Sequence, residues 1–538
     1  MHWQLADAKD PFYYWHNFDV VRRWVLTYHD KLLSVRQRKI LAEYLALPKD
    51  AQCLWLRLFM RKGELFRVDR LSYGEINIPI ALKTLNSRGW IESVKEPDKD
   101  SLLIFTVAEL SNFYNLKRTT KTDKKSLVEE LSTAVSTLPG ELVRLRQNDC
   151  FNELSMLFFG NSHQQISEFV VAALGHVRYE NYRIRPHAVF PDQETFHYFC
   201  QLESIRRDYR ELSSHDEIIA LAQGLIDNPL IKDVPDRLKN KTNQLINRIA
   251  RDCERAKQID LALQLYRYAE RPPSRERQAR LLYKLDPDTC YSLLLDMVER
   301  PWDEPERHVA SQLLKRWFKQ HNGNAEVAIP SAAAALDFKP RQVEQAALAH
   351  YVAQGWSGLH AENIIVQSLF GLIFWDIIFA DVDGAFIHPF QRGPRDLNSP
   401  GFYRKRKAKI QRRLTSLAKH PNVVKSRIRH QLQTKQGLAN PFIPWKWQQL
   451  DDVIVWLDRI PIPVWGTIFE RLAFDVKNNR SGFPDLWLYK QGEVKLVEVK
   501  APGDSLRLNQ QQWLRHLTQN DVNVIVLNVN PLNALNAQ

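Results

Sequence analysis

Apolar residues recur at helical spacing over much of the N-terminal part of the chain. Clear examples are VVRRWVLTYHDKLL from residue 20, CLWLRLFMRKG from residue 53 and IPIALKTLNSRGWIES from residue 78. This spacing predicts amphipathic helices that bury one face. The last of them stops at Gly89, before a short apolar run, and that order is typical of a winged helix.

Residues 107–135 pair two short helical patterns around a basic turn. The arrangement resembles the small helix-turn-helix module called SAP, which binds the backbone of duplex DNA. An ordinary helical hairpin with a solvated, charged turn explains the same pattern equally well. If the module binds DNA, the residues expected to contact it are Lys117, Arg118, Lys121, Lys124 and Lys125.

Helical periodicity continues from about residue 215 to 345, and no segment there reads as a strand. One helical pair is similar to a tetratricopeptide-type repeat, although its period does not recur three times. Three arginines on its second helix, Arg275, Arg277 and Arg280, form a charged face that is either solvated or able to hold a phosphate. We therefore expect a helical, repeat-like middle region.

The pattern changes after residue 345. A loop is followed there by a helix that is apolar on most sides, which predicts burial in a domain core. The chain as a whole predicts a multidomain α+β protein, mostly helical in its N-terminal and middle regions. The predicted regions are 1–50 (N-terminal helical), 51–214 (winged-helix and SAP-like), 215–345 (helical, TPR-like) and 346–538 (C-terminal α/β domain).

Composition narrows the functional classes. The 538 residues carry a formal net charge of +13, which favours polyanionic partners such as nucleic acid or an anionic membrane surface. The five cysteines are far apart and form no metal-binding pattern, which predicts a reducing, cytoplasmic environment. The most apolar stretch, residues 368–380, is too short to cross a bilayer, and the N-terminus lacks the pattern of a signal peptide. We expect no membrane segment.

The candidate chemistry lies in FPDLWLYKQGEVKLVEVKAPG, residues 483–503. Two apolar runs flank Gln491-Gly492, which predicts a β-hairpin with a two-residue turn. In that register Asp485 stands opposite Glu498, and Lys500 lies on the same face as Glu498. A slip of one residue would place the two acids on opposite faces.

Two facing carboxylates repel each other unless a cation or a shared proton offsets their charge. Mg²⁺ suits such a site because it takes one or two carboxylates and keeps room for phosphate oxygens. Lys500 could then hold the attacking water or stabilise negative charge on a phosphate. The competing interpretation is a strand salt bridge between Lys500 and Asp485 or Glu498 on a solvated face.

Pro484-Asp485, a hairpin and then Glu498-Val499-Lys500 match the motif of the PD-(D/E)xK nuclease superfamily. The neighbouring segments, GTIFERLAFDVKNNRSGFPDLWLY and, upstream, GWSGLHAENIIVQSLFGLIFWDIIF, resemble the VRR-NUC domain of the Fanconi-associated nuclease family. The N-terminal segments YYWHNF and LFMRKGELFRVDRLSYGEI resemble its bacterial members. The resemblance covers most of the chain. No ubiquitin-binding zinc finger of the kind found in animal members is seen.

The resemblance implies a PD-(D/E)xK nuclease in the C-terminal domain. The implied activities are a structure-selective 5′-flap endonuclease and a 5′ to 3′ exonuclease that act with Mg²⁺ or Mn²⁺ in DNA interstrand crosslink repair. Glu362 would be an upstream metal ligand, and the carbonyl of Val499 would be a further one. Gln510 matches a glutamine that supports the active site in the family. The implied catalytic set is Glu362, Asp485, Glu498 and Lys500.

A basic stretch lies inside the expected nuclease domain. Between Asp396 and Asp451 there are no acidic residues and thirteen Lys and Arg. Such a run is often only a solvated face, but here it predicts a surface that follows DNA phosphates without reading sequence. The expected contacts are Arg404, Lys405, Arg406, Lys409, Arg412 and Arg413.

Two other functions remain open from the residues. One is a Holliday-junction resolvase or restriction-like endonuclease, which shares the chemistry and differs in substrate. The other is a helical-repeat scaffold that binds DNA without cutting it, and a scaffold would have no reason to keep the complete set of acids and lysine. For the nuclease, the expected partner is flapped, branched or crosslinked DNA, and the expected location is the bacterial cytoplasm, at the nucleoid when bound to DNA.

Overall fold

A computed structural model describes residues 6, 9–116, 123–164, 178–319, 327–339, 342–448, 450 and 453–532. The chain divides into two compact units. The first comprises Met1–Arg178 and Pro186–Glu203, and the second comprises Tyr179–Arg185 and Ser204–Gln538. Among the described residues no helix is long and apolar enough to cross a membrane.

The first unit combines helices with a small antiparallel sheet. Its strands are β1 (Leu65–Arg67), β2 (Ile91–Val94) and β3 (Leu142–Leu145), and β3 lies between the other two. Its helices are Tyr13–Tyr28, Val35–Leu45, Lys49–Phe59, Ile78–Ser87, Lys99–Leu103, Val107–Phe113, Lys124–Ala134 and Asn148–Phe159, and the helix Gln193–Glu211 begins in it.

The winged-helix pattern is confirmed. The predicted helices form at Lys49–Phe59 and Ile78–Ser87, and Gly89, with φ of +72°, turns the chain into β2. A positive φ suits glycine because it has no Cβ to clash with the backbone. The two helices of the SAP-like segment also form, at Val107–Phe113 and Lys124–Ala134, and they share a small core around Leu110 and Leu131.

The middle region is helical, as its periodicity predicts. Helices that follow Gln193–Glu211 pack on their neighbours in chain order, and Leu263, Ala279 and Leu294 lie in their shared core. Their bounds are His215–Ile226, Pro229–Lys232, Lys239–Arg255, Ile259–Tyr268, Ser274–Leu285, Pro287–Glu299 and Glu304–Phe318.

The prediction that residues 215–345 contain no strand is wrong. Residues Ser331–Leu336 form β4, which pairs in parallel with β8 (Val524–Pro531) at one edge of the C-terminal sheet. SAAAAL has a low intrinsic preference for strands, so the distant partner decides its conformation. The sheet of the C-terminal domain therefore begins before the boundary expected at residue 346.

The C-terminal sheet has five strands in the order β4-β8-β7-β6-β5. The other three are β5 (Ser357–His360), β6 (Leu486–Lys490) and β7 (Glu493–Lys500). The helices of this domain are Val343–Ala353, Ile364–Ile373, Trp375–Ile378, Gly401–Lys419, Pro421–Thr434, Val453–Arg459, Ile462–Phe474, Val476–Asn479 and Leu508–Gln519.

The predicted hairpin and its register are confirmed. Lys490 pairs with Glu493 and Leu486 pairs with Val497 in the antiparallel β6–β7 ladder. Gln491 and Gly492 both have positive φ, +48° and +91°, as a type I′ turn requires. The next step of this ladder brings Asp485 opposite Glu498.

Each face of the sheet packs on a different core. Trp487 and Leu496 face the large core, which includes the helices Ile364–Ile373 and Leu508–Gln519. Leu486 and Val497 face a smaller core under the helix Val343–Ala353. Because side chains alternate along a strand, Asp485, Glu498 and Lys500 lie on the face of the large core. This alternation explains why charged groups interrupt otherwise buried strands.

Candidate functional site

The candidate site lies where β6 begins and β7 ends. Glu498 is completely buried, and Lys500 is the last residue of β7. Asp485 directly precedes β6, and its carboxylate oxygen Oδ2 accepts a hydrogen bond of 2.8 Å from the main-chain N–H of Val499. The neighbouring strand therefore fixes the orientation of the Asp485 carboxylate.

The main chain ties the end of β5 to Asp485. The carbonyl oxygen of Asp485 accepts hydrogen bonds from the N–H groups of Ala361 (3.0 Å) and Glu362 (3.1 Å). The indole N–H of Trp487 donates to the carbonyl oxygen of Glu362 (3.2 Å). These bonds place Glu362 beside Asp485, although the two are far apart in sequence.

The backbone of Glu362 is strained. Its φ is +44°, in the left-handed region that residues other than glycine seldom adopt. Such a conformation costs on the order of 1–3 kcal/mol and persists only where the surroundings enforce it. Here the hydrogen bonds to Asp485 and Trp487 hold Glu362 in this conformation. Its carboxylate lies near those of the site as a result.

The structure brings a histidine into this group as well. One nitrogen of His360 and one carboxylate oxygen each of Glu362 and Asp485 all lie within 4.8 Å of one another. Sequence reasoning missed His360. The available indication was its position only two residues before Glu362, close enough in sequence for both side chains to reach one site.

Lys500 and Gln510 surround the remaining acid. The ammonium of Lys500 lies 2.8 Å from Oε1 of Glu498 and donates to the side-chain oxygen of Gln510 (3.2 Å). The amide nitrogen of Gln510 donates to Oε1 of Glu498 (2.5 Å). The support expected of Gln510 thus has a geometric basis, since its amide bridges the other two side chains.

Burial makes ionisation of both acids difficult. Loss of solvent raises the pKa of Asp485 and of Glu498 above their ordinary values, and the charge of Asp485 raises the pKa of Glu498 further. The ammonium of Lys500 opposes these shifts only in part. The site is therefore suited to an additional positive charge.

One atom tests whether these residues fit a metal ion. Oε2 of Glu498 is buried and has no hydrogen-bond partner among the residues that the structure describes. A buried carboxylate oxygen without a donor is unfavourable, and a cation removes that cost. Asp485 and Glu362 are near enough for their charges to raise the pKa of Glu498, so the three acids offer the oxygen donors that Mg²⁺ and Mn²⁺ prefer.

Val499 has the geometry expected of the central residue of the motif. Its side chain points into the smaller core, so only its main chain is on the side of the acids. Its N–H is already used by Asp485. The role of its carbonyl oxygen as a metal ligand stays a prediction.

The basic stretch folds mainly into two consecutive helices, Gly401–Lys419 and Pro421–Thr434. The first is called the basic helix below. Its side chains Arg404, Lys405, Lys409 and Arg412 are exposed. Arg413 is partly buried, and its guanidinium binds the carboxylate of Asp376 at 2.9 Å.

The expectation that Arg406 contacts DNA is corrected by the structure. Its side chain is fully buried, and its guanidinium binds Asp396 (2.8 Å) and the carbonyl oxygen of Ile377 (3.1 Å). Phe402, Arg406 and Ile410 are spaced four residues apart and form one buried stripe of the basic helix. Arg406 therefore holds the helix against the domain core.

We expect Arg406→Ala to lower the free energy of unfolding of the C-terminal domain by about 3–5 kcal/mol, because it leaves the buried Asp396 carboxylate without its partner. Calorimetry of the melting transition measures the effect. The matched variant Arg404→Ala, at an exposed position of the same helix, should change it by less than about 0.5 kcal/mol. An unchanged transition with weakened DNA binding would restore Arg406 as a contact.

The possibility that Arg275, Arg277 and Arg280 hold a phosphate is not supported by the structure. Arg275 is buried and binds Glu306 and Asp296, and Arg277 binds Glu254. Arg280 binds Glu276 at 2.8 Å. These guanidinium groups are used by carboxylates within the helical array, so they form a structural network.

The predicted contacts of the SAP-like turn lie only partly within the described residues. Lys117, Arg118 and Lys121 fall outside them. Lys125 is exposed, and Lys124 donates to the carbonyl oxygen of Leu103 (2.7 Å). Their role in binding DNA stays a prediction.

Two protein families match parts of the chain. The family described as FAN1, HTH domain matches residues 12–92, and the VRR-NUC domain matches residues 420–531. The second match contains the hairpin acids and Lys500, whereas Glu362 lies upstream of it. Both matches agree with the helical N-terminal unit and the C-terminal sheet described above.

Individual proteins match over nearly the whole chain. The Fanconi-associated nuclease 1 homolog of Pseudomonas aeruginosa is 30% identical over 96% of this chain and 95% of its own. The homolog of Arabidopsis thaliana is 25% identical over 96% of this chain and 66% of its own. Crystal structures of paFAN1 bound to 5′-flap DNA with a gap, one with a flap of 2 nt and one of 1 nt, superpose with a TM-score of 0.85 at 30% identity. The superposition covers 97% of this chain.

Proposed function

The chain belongs to the Fanconi-associated nuclease family of structure-selective DNA repair nucleases, and from that premise we propose that it hydrolyses a phosphodiester bond near the base of a 5′ flap. We propose Glu362, Asp485 and Glu498 as ligands of Mg²⁺ or Mn²⁺. The observation that carries the proposal is the buried oxygen Oε2 of Glu498, which lacks a partner among the described residues and lies beside the half-buried Asp485.

A divalent cation held there would polarise the scissile phosphate and lower the pKa of a bound water. The protein's own groups account for the rest of the chemistry. The ammonium of Lys500 has three N–H donors, of which two are directed to Glu498 and Gln510. The third is available to orient the attacking water or to stabilise the negative charge that develops on a phosphate oxygen.

The basic helix supplies a surface for the duplex. Its exposed cations carry positive charge without acidic neighbours in sequence, and contacts to phosphates position DNA without reading bases. In the paFAN1 crystal structures the bound DNA carries a 5′ flap and a gap. We propose the same class of substrate for this chain, together with 5′ to 3′ exonuclease activity and a role in crosslink repair.

The proposal is tested with end-labelled 5′-flap, 3′-flap, Holliday-junction and plain duplex DNA, each with EDTA, Mg²⁺ or Mn²⁺. The expected result is cutting near the 5′-flap junction that requires the cation. Cutting of the Holliday junction alone would replace the flap nuclease with a resolvase. DNA binding without any cutting would favour the scaffold.

The stabilisation that the cation provides should grow with pH. Since burial raises the pKa of Asp485 and Glu498, both carboxyls stay protonated in the metal-free folded protein at a pH where the unfolded chain has ionised. Their ionisation destabilises the metal-free fold as pH rises, whereas cation binding needs the ionised form. We expect the increase in melting temperature caused by MnCl₂ to be larger at about pH 8 than at about pH 5.5.

A thermal melt with and without MnCl₂ across this range measures the trend. In Glu498→Gln the increase in melting temperature caused by MnCl₂ should depend less on pH, because the variant has one carboxyl fewer to ionise. An increase that is equal at all pH values would contradict the assignment of the buried acids as ligands.

A further inference from the structure

We propose that His360 is a direct nitrogen ligand of the metal ion held by Glu362 and Asp485, and that it gives the site a preference for Mn²⁺ over Mg²⁺. The inference rests on the proposed function, because it extends the ligand set of the same site. None of the motif residues predicts it, since the motif is composed of oxygen donors and a lysine.

His360 lies at the mouth of the site, where its ring nitrogen comes within 4.8 Å of carboxylate oxygens of Glu362 and Asp485. It is the last residue of β5 and pairs with Leu486, the neighbour of Asp485. After it the chain turns at Glu362, and the side chains of His360, Glu362 and Asp485 converge at this turn. The side chains of His360 and Glu362 are 35% and 54% exposed, so a hydrated cation can reach both.

The distance between the two side chains suits ligands of one ion. Nε2 of His360 lies 3.4 Å from Oε1 of Glu362. That separation is long for a hydrogen bond between charged groups. Two neighbouring ligands of an octahedral ion, each at about 2.1 Å from it, are about 3 Å apart. A small adjustment of either side chain would therefore complete a coordination shell.

The chemistry of imidazole decides the metal preference. Mg²⁺ is a hard ion that takes oxygen ligands almost exclusively, whereas Mn²⁺ also accepts nitrogen. A site with carboxylates alone binds both ions, and an added imidazole strengthens the binding of Mn²⁺ more than that of Mg²⁺. His360→Gln should thus raise the dissociation constant for Mn²⁺ by about tenfold or more, with a much smaller change for Mg²⁺.

A purely structural role for His360 predicts a different result. A histidine that only orients Glu362 would change the affinity for both ions by a similar factor, and it would leave no nitrogen bound to the metal. The nuclease rate cannot separate these cases because either role lowers it. The decisive measurement must therefore detect the metal itself.

The test is pulsed electron paramagnetic resonance on the full chain loaded with Mn²⁺. We expect modulation from a directly bound nitrogen in the native protein, and its pattern should change when the protein is labelled with ¹⁵N-histidine. The modulation should vanish in His360→Gln and persist in His430→Gln, which alters an exposed histidine on the helix Pro421–Thr434. Absence of nitrogen modulation in the native protein, or its survival in His360→Gln, would overturn the proposal.

Calorimetric titration of the same variants with MnCl₂ and MgCl₂ measures the preference. If a variant folds poorly, the ¹⁵N-histidine-labelled native protein still shows whether a histidine nitrogen is bound to Mn²⁺. Asp485→Asn separates this inference from the proposed function. If Mn²⁺ binding depends on Asp485 but shows no bound nitrogen, His360 is not a ligand and the nuclease site stands; if Mn²⁺ binding is indifferent to Asp485, the proposed nuclease site itself fails.

Discussion

Asp485→Asn should lower the rate of flap cutting by at least about 10³-fold, a loss of about 4 kcal/mol of transition-state stabilisation. The carboxylate is expected to bind the cation, and an amide of the same shape binds it far more weakly. The same variant should bind flap DNA as tightly as the native protein. Single-turnover cutting with saturating protein measures the rate, and a binding titration in EDTA measures the affinity.

The stability of Asp485→Asn should move in the opposite direction from its activity. Burial raises the folded-state pKa of Asp485, so at neutral pH the folded protein ionises this group less readily than the unfolded chain does. The ionised carboxyl therefore destabilises the metal-free fold, and Asn removes that effect while its side-chain oxygen keeps the hydrogen bond from Val499. We expect an equal or higher melting temperature in EDTA at neutral pH.

The control is Asp504→Asn, an exposed aspartate just after β7 whose carboxylate accepts a hydrogen bond from the main-chain N–H of Ala501. It should cut at the native rate. Lys500→Ala, in contrast, should lose cutting while it keeps cation binding. If Asp485→Asn cuts at the native rate, Asp485 is not a ligand of the catalytic cation. If its melting temperature falls greatly, the carboxylate serves to stabilise the fold.

The second large effect concerns the exposed cations of the basic helix. Replacing four of them, those expected to contact DNA, with Gln should weaken binding of flap DNA by about 10³-fold at about 0.1 M salt, because each phosphate contact releases a counterion. The slope of log K against log salt should fall by up to about 4 units. The positions are Arg404, Lys405, Lys409 and Arg412. Fluorescence anisotropy at several salt concentrations measures both quantities.

A matched variant removes the same charge from the helical array. Four of its exposed cations, Lys257, Lys284, Lys315 and Arg316, are replaced with Gln. This variant has the same net charge as the first, so it controls for long-range electrostatics. An equal loss of affinity in both would show that the basic helix contributes only through the net charge of the protein.

The chemistry of the hairpin was predictable because it depends on local rules. The Gln491-Gly492 turn and the alternation of side chains place Asp485, Glu498 and Lys500 on one face, and both features act within a few residues. The amphipathic helices of the N-terminal and middle regions follow from periodicity in the same way. The family resemblance added Glu362 and Gln510, which no local rule could have placed.

The sequence-based predictions failed where residues distant in sequence decide the local structure. The alanine-rich β4 is a strand because β8 lies beside it. Arg406 is buried because it occupies the apolar stripe between Phe402 and Ile410 and finds Asp396 on a neighbouring segment. The four-residue spacing was visible in the sequence, but a charged residue in a basic run is ordinarily solvated.

The sequence by itself thus determined the amphipathic helices, the hairpin register and the acid pair, because turns and side-chain periodicity are properties of neighbouring residues. Only the tertiary structure decided that His360 and Glu362 meet Asp485, since main-chain hydrogen bonds to Asp485 hold the end of β5 against the start of β6. It also decided which cations face solvent. Both outcomes depend on which surfaces pack together, and packing is set by the whole chain rather than by any one segment.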